Sequence, residues 1–259
     1  MRVSAVVGTS VWFSIALVLP LFPCAQAVAQ DNDQPAAEKP KPADLGSPLV
    51  DDPASLVRLD PTYPVWIDKR KKEVVFLAQV CRADYPLEFL VTLRDRSYEA
   101  VVATDVRPSL VHAGLLAVGA KPGHPANYKD KFIPPTGTEV AIEFRWKDSK
   151  GKVQHAPAHY WVRNVRTKKA LDVNWVFGGS GFTKDETTGK QYYLGDSGDF
   201  ISVLNLPTAT LDLPIQSTSA LESRLFEGFV EHLPPEKTPV TVILIPVKLA
   251  KAGSVRSGL

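Results

Sequence analysis

Apolar and polar residues alternate along several short segments between residues 65 and 247 of this 259-residue chain. In the segment PLEFLVTL (86–93), apolar positions 87, 89, 91 and 93 fall on one side of an extended strand, opposite Glu88 and Thr92. The segment TEVAIEFRW (138–146) repeats this pattern. A period of two is typical of strands that bury one face, and polar turns separate these segments. The pattern predicts about nine to eleven strands.

One segment has a helical pattern instead. Pro108 suits the first position of a helix, because the N–H that proline lacks would be unpaired there. Apolar residues follow at helical spacing as far as Gly119. A second, short helical turn is predicted within residues 157–164. We therefore predict a mainly β fold, an antiparallel sandwich or a strongly curved sheet, with one clear short helix at about residues 108–119.

The N-terminus has the pattern of a signal peptide. The chain is apolar after Arg2, most densely over residues 11–21 (VWFSIALVLPL), and Ala27-Val28-Ala29 places small residues where a signal peptidase cleaves. We expect residues 1–29 to be removed and the protein to be periplasmic or extracellular. An N-terminal membrane anchor is the alternative, although Pro20 interrupts the run. No other segment approaches the length of a membrane span, so none is expected in the mature chain.

Composition divides the remainder of the chain into three parts. Residues 30–57 contain five prolines, many charges and no apolar period, which predicts a disordered linker. Residues 58–248 are predicted to form a single mainly β domain. Residues 249–259 are small and basic, and we expect them to be a disordered tail.

Charge and cysteine content exclude several classes of protein. Removing residues 1–29 takes one Arg and no acidic residue from 30 basic and 28 acidic side chains, which leaves 29 against 28. A nearly neutral chain argues against nucleic-acid binding. Cys24 leaves with the signal peptide, so Cys81 is alone, and neither a disulfide nor an all-cysteine metal cluster can form within the mature chain. No phosphate-binding glycine motif is present, and no cofactor is predicted.

The segment Gly195-Asp196-Ser197-Gly198 resembles the sequence around the nucleophile of trypsin-like serine proteases. It suggests Ser197 as a nucleophile, although no histidine upstream has the expected sequence around it to act as its base. The same residues, followed by Asp199, are also typical of a tight turn between strands. We favour the turn, and keep Asp196 and Asp199 as candidate ligand-binding residues.

A second candidate nucleophile is Cys81, with His112 as its base and Asp105 to orient the imidazole. A thiolate activated by imidazole is sound chemistry, but an apolar strand surrounds Cys81, and buried free cysteine is common as a small hydrophobic residue. The segment 105–125 is the richest in side chains that could bind a ligand. Its other candidates are Arg107, Lys121 and His124.

Two histidines have the spacing of a metal-binding pair. His155 and His159 are four residues apart, which on one helix would direct both imidazoles to the same metal ion. Pro157 lies between them and argues against a continuous helix. We favour a pair of surface residues and predict no metal site.

Several segments together resemble an uncharacterised family of exported bacterial proteins of the YdjY type, common among planctomycetes. The most distinctive are PLEFLVTL (86–93) and RPSLVHAGLLAVGAKPGHP (107–125). Further similar segments are IPPTGTEV (133–140), RWKD (145–148), WVFGGSGF (175–182), GDSGDFISV (195–203) and TPVTVILIPV (238–247). The resemblance implies a domain outside the cytoplasm, and it supplies no catalytic residue.

Three functional hypotheses follow from the sequence. The first is a non-enzymatic exported domain that binds or scaffolds an envelope protein or a small ligand, because no complete catalytic set is present. The second is a hydrolase that uses Cys81 with His112, or Ser197 with an unidentified base. The third is a histidine-based metal-binding module.

Overall fold

The computed structural model describes residues 41–82, 84–217 and 225–247. The predicted signal peptide, residues 30–40 of the predicted linker and the predicted tail lie outside these ranges. Within the ranges the protein is mainly β, as predicted. No helix formed by the described residues is long and apolar enough to cross a membrane.

The strands of the described chain are short, and few exceed five residues. They are β1 Leu56–Arg58, β2 Val65–Asp68, β3 Glu73–Val80, β4 Phe89–Leu93, β5 Ala100–Thr104, β6 Glu139–Lys147, β7 Val153–Pro157, β8 Val162–Asn164, β9 Trp175–Val176, β10 Phe182–Lys184, β11 Gln191–Tyr193, β12 Ile201–Ser202, β13 Phe226–Gly228 and β14 Pro239–Pro246. The α-helix is α1, Pro108–Ala117. Short 3-10 helices cover Pro53–Ser55, Arg94–Glu99, Ala158–Trp161, Leu194–Ser197 and Val230–His232.

Most of the strands belong to one large sheet. Its main path runs β12-β4-β5-β3-β14-β6-β7, with β2 also paired to β3, β1 to β2, and β9 to β6. The longest strands, β3, β14 and β6, are neighbours and pair antiparallel at the centre. Two small antiparallel pairs, β10–β11 and β8–β13, lie outside this sheet.

The sheet is not antiparallel throughout, which differs from the predicted architecture. β4 and β5 run parallel, with Phe89 opposite Ala100 and Leu93 opposite Thr104. A polar turn was predicted after β4, at Arg94-Asp95-Arg96. The chain instead forms the 3-10 helix Arg94–Glu99, which carries it back to the start of β4 before β5 begins.

The helix and the shorter helical turn both occur where the sequence placed them. α1 begins at Pro108, as predicted, and a 3-10 helix at Ala158–Trp161 occupies the second helical position. α1 packs tightly on the sheet at Gly114. A Cβ atom there would stand 3.0 Å from Leu59 and 3.1 Å from Val74, so a larger side chain would push the helix away.

The hydrophobic core lies on one face of the large sheet. Phe76 and Ala78 of β3 point into it, and Val111 and Leu115 of α1 cover them from above. The first residue of the small β13 strand, Phe226, joins the same core. β3, β6 and β14 contribute alternate residues to this core. β4 and β5 instead contribute the consecutive pairs Leu90-Val91 and Val101-Val102, because they are buried on both faces. The alternation in residues 86–93 therefore does not separate a buried face from an exposed one, since Thr92 is fully buried.

The opposite face of the sheet is covered by the segment that precedes β1. The backbone N–H of Leu49 donates to Thr241 Oγ1 at 2.8 Å, and Asp51 pairs with Arg145 on β6 at 2.7 Å. Leu77 on this face of β3 is only 3% exposed. Residues 41–57, which the sequence analysis assigns to the linker, thus make specific contacts with the domain.

Arg96 joins two distant parts of the fold. Its guanidinium donates to Asp199 at 2.7 Å and to Glu99 at 3.3 Å, and lies 4.6 Å from the centre of the Phe89 ring. Asp199 also accepts a short hydrogen bond from Thr208. Since Arg96 is largely shielded from water, these bonds hold the turn after β11 against β4.

We predict that Arg96→Met lowers the free energy of unfolding by about 2–4 kcal/mol, because it leaves Asp199 and Glu99 partly buried without their cation. Urea unfolding followed by tryptophan fluorescence measures this change. The control is Arg70→Met, whose pair with Asp52 is largely exposed to water. Its effect should stay below about 1 kcal/mol. Equal effects of the two substitutions would contradict the role assigned to Arg96.

Candidate functional site

An open groove lies at the end of β3, between the 3-10 helix Arg94–Glu99 and the loop before β14. We call it the tyrosine groove, because the rings of Tyr85 and Tyr98 are 39% and 62% exposed at its sides. Its volume is about 280 Å³. It is lined by Gln79, Val80, Cys81, Arg82, Tyr85, Arg94, Ser97, Tyr98, Ala103, Glu236 and Lys237.

Hydrogen bonds between distant segments fix the walls of the tyrosine groove. The Lys237 N–H donates to the Val80 carbonyl at 2.8 Å, and Gln79 Nε2 donates to the Lys237 carbonyl at 2.9 Å. Arg94 Nη1 donates to Gln79 Oε1 at 3.0 Å. Gln79 of β3 therefore bonds to both walls of the groove, through Arg94 on one side and Lys237 on the other. The backbone of Lys237 has a left-handed φ of 69°.

The recess continues past Cys81 on its other side. This extension has a volume of about 360 Å³ and is lined by Cys81, Arg82, Asp84, Val230, Leu233, Pro234, Pro235 and Glu236. Val230 is half exposed. Arg82 pairs with Asp84 and lies 5.1 Å from the centre of the Tyr85 ring, so an ion pair and an aromatic ring lie side by side here.

The thiol of Cys81 sits in the floor between the two recesses and is not activated. Burial raises its pKa to about 12, and the nearby Arg94 offsets this only in part. Its polar contact is with the Gln79 carbonyl at 3.8 Å. No imidazole is among the side chains that line either recess. At neutral pH this thiol is therefore a weak nucleophile.

The structure does not bring Asp105 to His112. Asp105 forms a two-pronged pair with Arg94, with both N–O distances 3.0 Å, and it also accepts the Ala43 N–H at 2.9 Å. Burial opposes ionisation, but these bonds keep the pKa of Asp105 below its usual value. Asp105 thus supports Arg94, and through it the wall of the tyrosine groove.

His112 belongs to a separate cluster on α1. Its Nδ1 lies 3.0 Å from the Tyr193 hydroxyl, and its ring meets those of Phe177 and Tyr193 edge to face at 4.9 and 5.1 Å. Burial lowers the pKa of His112 and raises that of Tyr193 to about 12, so both groups are neutral at pH 7. The Tyr193 hydroxyl also lies 2.9 Å from Thr210 Oγ1. His112 is therefore a half-buried histidine whose ring has a hydrogen-bond partner inside the fold.

The GDSGD segment forms a turn whose polar groups have structural partners. Ser197 Oγ is exposed and donates to the Leu194 carbonyl at 2.8 Å. Asp196 accepts both the backbone N–H and the hydroxyl of Ser109 at 2.8 Å, in the first turn of α1. The carboxylate that caps α1 therefore comes from Asp196, whereas Arg107 at the N-cap position makes no side-chain cap bond. Asp199 holds Arg96, as described above.

The remaining candidates of segment 105–125 lie apart on the surface. Arg107 is exposed, with its guanidinium 5.5 Å from the Tyr63 ring centre. The backbone N–H of Lys121 donates to Thr138 Oγ1 at 2.8 Å, and its carbonyl accepts the Thr138 N–H at 3.0 Å. His124 is exposed, with Nδ1 3.0 Å from the Pro125 carbonyl. These three side chains do not converge on one ligand.

The two histidines with metal-like spacing lie on different elements. His155 belongs to β7 and faces Glu143 at 3.8 Å, whereas His159 belongs to the following 3-10 helix and contacts the Tyr160 ring. Among the residues that the structure describes, no group of three or more His, Cys, Asp or Glu side chains is arranged to hold a metal ion.

Asp212 is a buried carboxyl that sequence reasoning missed. It accepts the Leu213 N–H at 2.7 Å, the Leu206 N–H at 3.1 Å and Asn205 Nδ2 at 3.2 Å, and no cation is among these partners. Burial raises its pKa to about 8. The sequence LDLP (211–214) resembles an ordinary turn and gives no signal of this burial.

The tyrosine groove was also missed, because its aromatic residues come from a turn and a 3-10 helix and not from a periodic segment.

The structure is that of a mainly β domain with one α-helix and an open, aromatic-lined recess, and its described residues form no complete catalytic set. The chain belongs to the YdjY family, since the family model for the YdjY domain matches residues 65–245. Searches of curated proteins and of solved structures found no match.

We predict that native Cys81 reacts with iodoacetamide at about pH 8 at least about 100-fold more slowly than an exposed cysteine, because almost none of it is thiolate. Peptide-level mass spectrometry measures the rate and separates Cys81 from Cys24. The matched control is the double variant Cys81→Ala/Ser149→Cys, since Ser149 lies in an exposed turn. Comparable rates at the two positions would contradict the assignment of an unactivated thiol.

We also predict that stability falls as pH rises from about 4 to about 8, because folded Asp212 retains a proton that the unfolded chain has lost. The contribution of Asp212 to stability is complete at pH values below the pKa of the unfolded chain. It is lost as the pH rises through the folded pKa of about 8. Asp212→Asn should flatten this part of the dependence in urea unfolding at several pH values. Asp185→Asn, at an exposed turn carboxylate, should leave it unchanged. A slope that survives Asp212→Asn would refute the prediction.

Proposed function

We propose that this protein is an exported, non-enzymatic binding domain whose ligand is an extended peptide segment of another envelope protein, bound in the tyrosine groove. The proposal of export rests on the signal-like residues 1–29. The observation that carries the binding role is the pair of exposed tyrosine rings that flank the groove beside Arg82 and Lys237.

The shape and lining of the groove favour a peptide. Two recesses meet at Cys81, so the surface is long enough for several consecutive residues of an extended chain. Tyrosine and arginine are enriched in the energetic centres of protein interfaces, because they combine apolar area with hydrogen-bonding groups. The hydroxyls of Tyr85 and Tyr98 have no partner among the described residues and are available to a ligand.

The groove is also preorganised for binding. The Arg94–Asp105 pair and the two bonds of Gln79 hold its walls, so binding would not have to order them. Preorganisation of this kind reduces the entropic cost of association. The groups that could have supported hydrolysis have other roles here: Cys81 is protonated, and Ser197 bonds to its own turn.

The test begins with peptides selected from a random display library on the purified protein, and continues with one synthetic peptide measured by calorimetry. Tyr98→Ala should weaken its binding by about tenfold or more, because it removes an exposed anchor ring. The control is Tyr192→Ala, which removes a tyrosine on β11 that is 44% exposed and does not line the groove.

Three outcomes would overturn the proposal. The first is the absence of any enriched peptide, and the second is an equal loss of affinity for Tyr98→Ala and Tyr192→Ala. The third is ester hydrolysis of p-nitrophenyl acetate that disappears in Cys81→Ala, which would favour the hydrolase instead.

A further inference from the structure

A second cavity lies on the opposite face of the large sheet, beneath the segment that crosses it. We call residues 41–52 the N-terminal strap. The cavity has a volume of about 260 Å³. It is lined by Leu45, Gly46, Ser47 and Leu49 of the strap, and by Leu77, Lys147, Thr238, Pro239, Val240 and Thr241 of the sheet.

The strap is fixed at both sides of this cavity. On the N-terminal side of the cavity, the Ala43 N–H donates to Asp105 at 2.9 Å. On the C-terminal side, the Leu49 N–H donates to Thr241 Oγ1 at 2.8 Å, and Asp51 pairs with Arg145 and with Lys71. The strap therefore forms a roof over the sheet and leaves a gap between its own leucines and Leu77.

The chemistry of the lining is apolar with one cation. Leucine and proline side chains supply most of the apolar surface, and Lys147 is the single charged residue in the lining. Its ammonium group has no hydrogen-bond or ion-pair partner among the described residues. Lys147 is exposed at the end of β6, so the charge lies at the mouth of the cavity and not in its floor.

We propose that this cavity binds a small anionic amphiphile, with a short unbranched apolar chain beneath the strap and a carboxylate or similar anionic head at Lys147. A packed methylene group occupies roughly 25–30 Å³, so the cavity fits a chain of about eight carbon atoms. Burial of the chain supplies the affinity, and the lysine selects an anionic head over a neutral one.

This site is separate from the tyrosine groove and shares no lining residue with it. The inference does not depend on the proposed peptide-binding function. A negative result for one site leaves the proposal for the other site unchanged.

The experiment titrates octanoate into the purified protein by isothermal titration calorimetry, with hexanoate and octan-1-ol as comparison ligands. Octanoate should bind more tightly than hexanoate by roughly two- to fourfold for each added methylene. It should also bind about three- to tenfold more tightly than octan-1-ol, because the alcohol lacks the charge.

Two substitutions locate the site. Lys147→Gln should remove the preference for octanoate over octan-1-ol and leave the affinity for the alcohol unchanged. The matched control is Lys150→Gln in the neighbouring exposed turn, which should keep the preference. Leu49→Ala should weaken both ligands together, and thermal melting of each variant confirms that it is folded.

Vesicle sedimentation distinguishes binding of a free amphiphile from binding of a membrane lipid. Vesicles of phosphatidylcholine with phosphatidylglycerol are sedimented with the protein, and Lys147→Gln should not change the fraction bound. Binding to these vesicles without binding of octanoate would overturn the proposal. So would an octanoate affinity that is the same in the original protein, Lys147→Gln and Leu49→Ala.

Discussion

β14 pairs antiparallel with both β3 and β6, and this pairing forms the centre of the large sheet. β14 comes from the end of the described chain, yet it lies between strands formed by residues 73–80 and 139–147. Its alternating residues separate two environments, with Val242 and Leu244 in the core and Thr241 towards the N-terminal strap. Both candidate sites exist because this strand is in place: its preceding loop forms one wall of the tyrosine groove, and its other face forms the floor of the strap cavity.

Ionisable side chains in this protein mostly hold segments of the chain together. Asp196 caps α1 from a turn 87 residues away along the chain, Asp199 holds Arg96, and Asp105 holds Arg94. Each carboxylate has a cation or an N–H group as its partner, and the bonds of Asp196 and Asp199 join elements that lie 87 and 103 residues apart along the chain. The residue types that suggest catalysis in the sequence are thus used for assembly, since partly buried charges must be paired.

The two proposed sites differ in the physical basis of recognition. The tyrosine groove is open, aromatic and preorganised by side-chain hydrogen bonds, which suits a chain with its own backbone polar groups. The strap cavity is smaller and more apolar, with a single lysine at its mouth, which suits a compact amphiphile. The strap connects them, because Ala43 bonds to the Asp105 that supports Arg94 in the groove wall.

Elements with a local pattern could be predicted from the amino-acid sequence. The alternation in residues 86–93 and 138–146 predicted strands, Pro108 to Gly119 predicted the helix, and the turn at Gly195–Asp199 was favoured over a protease site, because backbone conformation follows nearby residues. The assembled fold was needed to show that β4 and β5 are parallel, that Cys81 and His112 lie in different clusters, and that no cation partners the buried Asp212. These features depend on contacts between residues far apart in the chain, and the local sequence around one partner does not specify the other.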